Sequence, residues 1–236
     1  MEDDFLTDDQ QADQVKSWLR QNGPFLIAGV VLGLGGLFGW NQWQHYQMQR
    51  AEAASALYDQ LMQSVNGQQV DAASQQLQQL EADFSSSAYV DLARMSMAGL
   101  YVSRSKQEEA IAQLQRVADK GNSDEMRNIA RLRLARLLSA NDRNDEALKA
   151  LDIPGSVAFA PLFHDVRGDV YYAMGKQAEA RSEYEQALNG EMAAAVLDLG
   201  YVTAKLDQLG GTAADLTAAA GVPAAAPALA DGQPAQ

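Results

Sequence analysis

Residues 167–188 read RGDVYYAMGKQAEARSEYEQAL, and the placing of small and large side chains in this stretch decides the fold. Gly168, Tyr171, Gly175, Ala180, Tyr184 and Ala187 follow one another at spacings of 3, 4, 5, 4 and 3. Spacings of 3 and 4 keep residues on one face of a helix. The spacing of 5 falls across Gly175, where the chain turns. The stretch therefore predicts two short helices folded back on each other. Small residues at Gly168 and Ala180 let the backbones approach, and Tyr171 and Tyr184 fill the remaining volume.

The same frame recurs upstream. Ala135, Leu138, Ala147 and Leu151 occupy it in ARLLSANDRNDEALKAL, and Ala98, Tyr101, Ala110 and Leu114 occupy it in AGLYVSRSKQEEAIAQL. Ala110 to Ala147 is 37 residues and Ala147 to Ala180 is 33, so an insertion is expected near Lys120 to Asp124. A degenerate fourth unit is expected upstream, with Ala73, Leu77 and Leu80 on its second helix. This pattern resembles the tetratricopeptide repeat, a helix hairpin of about 34 residues. A four-helix bundle also places small and large residues inside, but it does not repeat them in register three times.

From Arg50 to Leu209 the helical periodicity is broken at Asn66-Gly67, Ser103 to Ser105, Gly121-Asn122, Asn141 to Asn144 and Gly175, with a longer loop opened by Pro154-Gly155. Alternating Val, Ile, Thr and aromatic runs of strand length do not occur. The expected class is all-α: one N-terminal transmembrane helix, then a hairpin solenoid over residues 44–209. Glu191 to Leu209 is expected to cap the stack as an Ala-rich amphipathic helix. Residues 210–236 carry Ala, Gly, Pro and Thr with few large apolar side chains, too little to offset ordering entropy, and are expected to be disordered.

Ahead of the repeats, Phe25 to Trp40 reads FLIAGVVLGLGGLFGW, sixteen residues without a charge. A hydrocarbon core of roughly 30 Å needs about 20 helical residues, so a span over residues 24–43 borrows Pro24 and the stretch from Asn41 to Trp43. Trp40 and Trp43 suit the headgroup border. Ala51-Glu52-Ala53 offers a small-x-small cleavage pattern, but a signal peptide needs a basic leader and a nearby cleavage site. Residues 1–23 hold six acids against Lys16 and Arg20, and Ala51 lies well past Trp40, so the segment reads as an uncleaved anchor. Lys16 and Arg20 before the span, against Arg50 alone after it, orient residues 1–23 to the cytoplasm and the repeats to the periplasm. Gly29, Gly33 and Gly36 lie along one helix face where a second membrane helix can pack closely.

Composition excludes several functions. The chain carries a net charge of −13 and no cysteine, and beyond residue 43 it has 16 bases against 25 acids, a net −9. A nucleic-acid surface needs a basic patch; Arg127, Arg131, Arg133 and Arg136 cluster on one expected helix but sit among Asp124, Glu125, Asp142 and Asp145, which reads as a solvated, partly ion-paired surface. Two distant histidines, His45 and His164, do not make a zinc site. Asp165 and Asp169 stand four apart like an acid/base pair, yet carboxylates at that spacing on a helix read first as solvation. The glycines from Gly33 to Gly39 miss the G-x-G-x-x-G spacing at Phe38 and follow no strand. No enzyme, cofactor, metal or small-molecule substrate is expected.

Stacked hairpins turn their first helices toward a concave surface. The non-core face of those helices is expected to present Leu92, Met95, Gly99 and Val102 from one unit, Ile129, Leu132 and Arg136 from the next, and Leu162, Asp165, Asp169 and Tyr172 from the third. Two readings stand: a groove for extended, partly apolar peptides, with Leu92, Met95, Val102, Ile129, Leu132, Arg136 and Tyr172 as its lining, or burial under the linker or the last helix. The residues alone lead to a membrane-tethered protein-interaction scaffold.

The acidic arm, the Gly-rich span ending in Gly39-Trp40, and a divergent repeat stack with LRLA at Leu132 to Ala135 and VRGD at Val166 to Asp169 together resemble the YfgM family of ancillary SecYEG translocon subunits, over residues 1 to about 209. The resemblance implies an inner-membrane protein with a periplasmic repeat domain. It would be bound near SecYEG with a PpiD-like membrane-anchored chaperone, helping to pass secreted polypeptides to periplasmic chaperones. The Ala/Pro-rich tail departs from that family. A tethered adaptor holding one regulatory partner in envelope stress signalling is the alternative.

Overall fold

The computed structural model describes residues 8–152 and 157–210. The expected tail and the Pro154-Gly155 loop lie outside the described residues. The chain divides into two units, Met1–Ala56 and Leu57–Gln236. Among the described residues all regular structure is helical: α1 (Asp8–Asn66), α2 (Val70–Asp83), α3 (Ala88–Ser103), α4 (Gln107–Lys120), α5 (Asp124–Ser139), α6 (Asn144–Ala150), α7 (Ala160–Ala173), α8 (Gln177–Leu188), α9 (Ala193–Val196) and α10 (Leu199–Gln208).

The first unit is the N-terminal part of α1. Between Val15 and Met48 its described large apolar residues face solvent, with Phe25, Leu32 and Phe38 each more than 75% exposed. A helix that is apolar on every side buries its surface in something other than its own chain. Pro24 interrupts it, because proline has no N–H for the helical ladder and its ring presses on the preceding turn. The segments Val15–Phe25 and Ile27–Asn66 meet at 41°; no single described helix is long and apolar enough to cross a membrane, and this bent pair passes by length and composition. The expected span from residue 24 thus begins at a bend.

The second unit is built from hairpins that close in one way. Gln68, Ser105, Asp142 and Gly175 all have positive φ, between 57° and 73°, and each stands two residues before the start of α2, α4, α6 or α8. The next amide reaches back five residues in every case: Gln69 N to Ser64 O, Lys106 N to Tyr101 O, Arg143 N to Leu138 O and Lys176 N to Tyr171 O, at 2.8–2.9 Å. This is the Schellman closure, which satisfies carbonyls orphaned at a helix end. Only Gly175 is the residue that such a turn favours; the other three turns fall at the breaks Asn66-Gly67, Ser103 to Ser105 and Asn141 to Asn144.

Behind these turns, Ala73, Ala110, Ala147 and Ala180 are all fully buried, at intervals of 37, 37 and 33 residues. The expected frame and the upstream fourth unit stand, with Leu77 and Leu80 buried on α2. The expected insertion near Lys120 to Asp124 does not. The 37-residue interval occurs twice, and much of the difference lies in the first helices, since α3 and α5 have 16 residues and α7 has 14.

Packing follows the frame. Leu114, Val117, Leu134, Leu138, Val166 and Val170 belong to one core running from α3 to α7. At Gly168 an added Cβ would lie 2.5 Å from Tyr184 Cε1, so the glycine is where α7 and α8 touch. Loops are fixed by polar groups: Ser123 caps α5 through Met126 N, and the buried Asp91 carboxylate accepts from the backbone and side chain of Asn122 at 2.7 and 3.0 Å. The expected single capping helix is two pieces. Asp198 accepts from Tyr201 N and starts α10 afresh after extended Leu197, because a short acidic side chain favours the cap over the helix interior. Val202 and Leu206 of α10 then pack with Ala180, Tyr184 and Ala187 of α8.

Candidate protein-binding surface

The expected groove residues separate into three sets. Met95 and Leu132 are 6% and 5% exposed and belong to the core, so neither lines an open groove. Leu92, Ile129 and Leu162 are half-buried and pack against the same core. Val102, Arg136 and Tyr172 are exposed, and Gly99 has open space beyond its Cα. Of the expected surface on α3, α5 and α7, Gly99, Val102, Arg136 and Tyr172 are the residues open to solvent.

The carboxylates of α7 are occupied from within the chain. Asp165 is buried, and its Oδ1 accepts from Lys205 Nζ at 2.8 Å while Arg136 Nη2 stands 3.7 Å from Oδ2. Asp169 Oδ1 accepts from Lys205 Nζ at 2.6 Å and from the Tyr184 hydroxyl at 2.9 Å. Lys205 also lies 4.7 Å from the Tyr201 ring centre, a cation–π contact. Burial alone would lower the Lys205 pKa, but the hydrogen bonds to Asp165 and Asp169 outweigh it, and the net shift is upward. Tyr184 is held well above the usual phenol range, first by burial and then by the charge of Asp169. The two aspartates therefore do neither acid/base work nor free solvation: they hold α10, and burial under the last helix is the reading that applies to this end of the surface.

His164, Arg127, Arg131 and Arg167 also have partners within the chain. His164 Nδ1 is 2.7 Å from Glu183 Oε2, which Arg167 also approaches, and Arg167 donates to the Leu151 carbonyl at 2.8 Å. Arg127 donates to the Gly121 carbonyl at 2.6 Å and pairs with Asp124. Arg131 donates to Asn128 Oδ1 at 3.2 Å.

A second concavity was not expected from the sequence. A groove of about 510 Å³ runs among α4, α5 and α6, floored by Ile111, Leu134 and Leu138 and edged by Glu108, Arg143 and Glu146. It exists because α6 has 7 residues where α4 has 14; the only sequence signal is the early Pro154-Gly155 break. Its charged edge is already paired, with Arg143 2.9 Å from Glu108 and 2.8 Å from Glu146. The hydrogen bond to Arg143 lowers the Glu146 pKa, and the same contacts raise that of Arg143.

Comparison with known proteins agrees with this architecture. A family model described as a tetratricopeptide repeat-like domain matches residues 16–211. The chain is 29% identical over 195 residues to an ancillary SecYEG translocon subunit of Escherichia coli (strain K12), covering 83% of this chain and 94% of that protein. An ancillary SecYEG translocon subunit of Haemophilus influenzae is 28% identical over 182 residues, 77% of this chain and 89% of its own length, and one of Neisseria gonorrhoeae is 28% identical over 184 residues, with 78% and 88% covered. With four hairpins closed by one turn geometry and a family match from before the apolar segment to the end of α10, this chain belongs to the tetratricopeptide repeat-like domain family.

Proposed function

We propose that this protein is an ancillary subunit of the SecYEG translocon, a non-enzymatic scaffold held in the bacterial inner membrane by α1. Similarity over nearly the full length of relatives bearing that name carries the reading. The orientation follows Lys16 and Arg20: N-terminus cytoplasmic, residues 44–209 periplasmic. Trp40 and Trp43, with ring centres 5.3 Å apart and planes inclined at 40°, mark the periplasmic border. Gly29, Gly33 and Gly36, with open space beyond each Cα, form the strip on which a translocon or chaperone helix packs.

In the periplasm the strip of Gly99, Val102, Arg136 and Tyr172, with Leu92 and Ile129 beneath it, takes extended segments of secreted polypeptides. Apolar contact without a polar code gives weak, sequence-tolerant binding. Weak binding suits transfer to a PpiD-like membrane-anchored chaperone. No nucleic acid or small-molecule substrate enters this scheme.

The test is crosslinking in native membranes from residues 102 and 172, followed by identification of the captured proteins. Many unrelated secreted chains together with SecYEG are expected, and Val102→Asp with Tyr172→Asp should remove the secreted chains while the protein stays folded. Capture of a single stoichiometric regulatory protein would replace this reading with the signalling adaptor. Equal capture of secreted chains by the folded double variant would move substrate contact off this face.

A further inference from the structure

We propose that the part of α1 ahead of Pro24 is a membrane-surface anchor, with Val15, Trp18 and Leu19 inserted at the headgroup level and Lys16 and Arg20 held against lipid phosphates. The inference deepens the membrane reading and rests on it. Three observations converge. Val15, Trp18 and Leu19 stand at i, i+3 and i+4 on one face of the helix, and they are 62%, 54% and 55% exposed. Lys16 and Arg20, also four apart, lie on the adjoining face. An apolar stripe flanked by cations is the pattern of a helix that lies in the interface.

Pro24 fixes the level at which this happens. With no N–H to give, it leaves the Arg20 carbonyl without its helical donor. Inside hydrocarbon an unpaired carbonyl has nothing to replace the lost bond, whereas headgroup water and lipid can supply it. Just before it, Asn22 Nδ2 donates to the Trp18 carbonyl at 3.0 Å, a further polar group that belongs at the interface. The helix axis changes direction by 41° in this neighbourhood, which together with a span tilted by tens of degrees turns the segment toward the membrane plane. Beyond the bend, Phe25 to Trp40 is the uncharged run; before it, a straight continuation into water would leave Trp18 and Leu19 exposed, while lying along the surface covers them.

Charge sets where the anchor stops. The six acids of residues 1–23 all lie at or before Asp13, and both bases lie after it. An anionic leaflet attracts Lys16 and Arg20 and repels the arm. Asp13 stands 3.8 Å from Lys16 with both side chains largely exposed, a pairing that phosphate can replace at little cost.

The chain has no cysteine, so single labels report cleanly. Full-length protein carrying Val15→Cys, Lys16→Cys, Leu19→Cys or Arg20→Cys, each with a nitroxide, is placed in vesicles of phosphatidylethanolamine and phosphatidylglycerol. Collision rates with oxygen and with a nickel chelate are then compared, with Val31→Cys as the marker for the span. Labels at 15 and 19 should favour oxygen and share one shallow depth, labels at 16 and 20 should favour nickel, and the label at 31 should be the deepest. Nickel access at all four positions, with 31 still deep, overturns the anchor and leaves the span standing. A steady deepening from 15 to 20 also overturns it, since the segment would then be an upright extension of the span. Nickel access at 31 refutes the membrane reading and the anchor with it.

Discussion

The hairpins α5–α6 and α7–α8 solve the same packing problem with different pieces. Seven residues before the positive-φ turn stands Ala135 in the first and Gly168 in the second; four residues after the buried alanine of the second helix stand Leu151 and Tyr184. All four are buried. The larger filling residue goes with the smaller floor. Ala98 and Leu114 in α3–α4 follow the Ala–Leu version. What is held constant is the backbone frame and the summed volume at this layer, not the identity of either residue, which is what dense packing requires. Helix length is not held constant, and a groove runs beside the short α6.

The largest expected effect comes from emptying the second hairpin. Tyr184→Ala removes a buried aromatic ring and should cost about 3–5 kcal/mol, read by urea denaturation of the detergent-solubilised chain. A cost within the range of a surface change would mean that α8 does not depend on the Gly168 contact. Gly168→Ala presses a methyl group into that ring and should cost about 1–3 kcal/mol. Adding Tyr184→Leu converts the layer to the Ala–Leu version of α5–α6, so the double variant should lose less than the two single losses added together, by about 0.5–3 kcal/mol. Strict additivity would break the comparison.

The first hairpin gives the next test. Ala147 is fully buried and Gln177 is exposed. Ala147→Leu should cost about 1–3 kcal/mol, and Gln177→Leu should stay within about 0.5 kcal/mol. Equal shifts in melting temperature would mean that the buried alanines do not set the frame.

At the turns the effects shrink. Gly175→Ala forces a Cβ into the left-handed region and should cost about 1 kcal/mol. Ser105→Gly relieves the same strain but loosens the unfolded chain, and should gain no more than about 1 kcal/mol. Opposite signs at these two positions are the expected result; the same sign at both would show that the four turns are not equivalent.

The smallest effect at neutral pH is electrostatic and emerges only in alkali. Tyr184 and Lys205 both have folded pKa values raised above their ordinary values of 10.0 and 10.5. A raised value contributes stability that is complete below the unfolded pKa and is lost as pH climbs toward the folded one. Stability should therefore fall from about pH 10 upward. Tyr184→Phe and Lys205→Met should each flatten that fall. An alkaline fall of wild-type steepness in both variants would show that α10 is not held through these groups.

Sequence by itself determined the helical class, the repeat register and the position of the apolar segment. These rest on local quantities: the spacing of Ala147 and Ala180, the Gly175 turn and the unbroken run from Phe25. Periodicity along one helix is set by that helix alone. It also placed Ala73, Leu77 and Leu80 in a fourth unit, after the break at Asn66-Gly67. Tertiary structure decided which polar and apolar groups are free. Met95 and Leu132 read as outward-facing from one helix, but both are buried in the core that α3 to α7 share. Asp165 and Asp169 read as solvated, but Lys205 arrives from about forty residues away, held there by a short helix that Asp198 starts anew. The groove beside α6 depends on a helix ending early between two that do not. Each of these is a relation between elements distant in the chain, and such relations are settled by packing that no single helix contains.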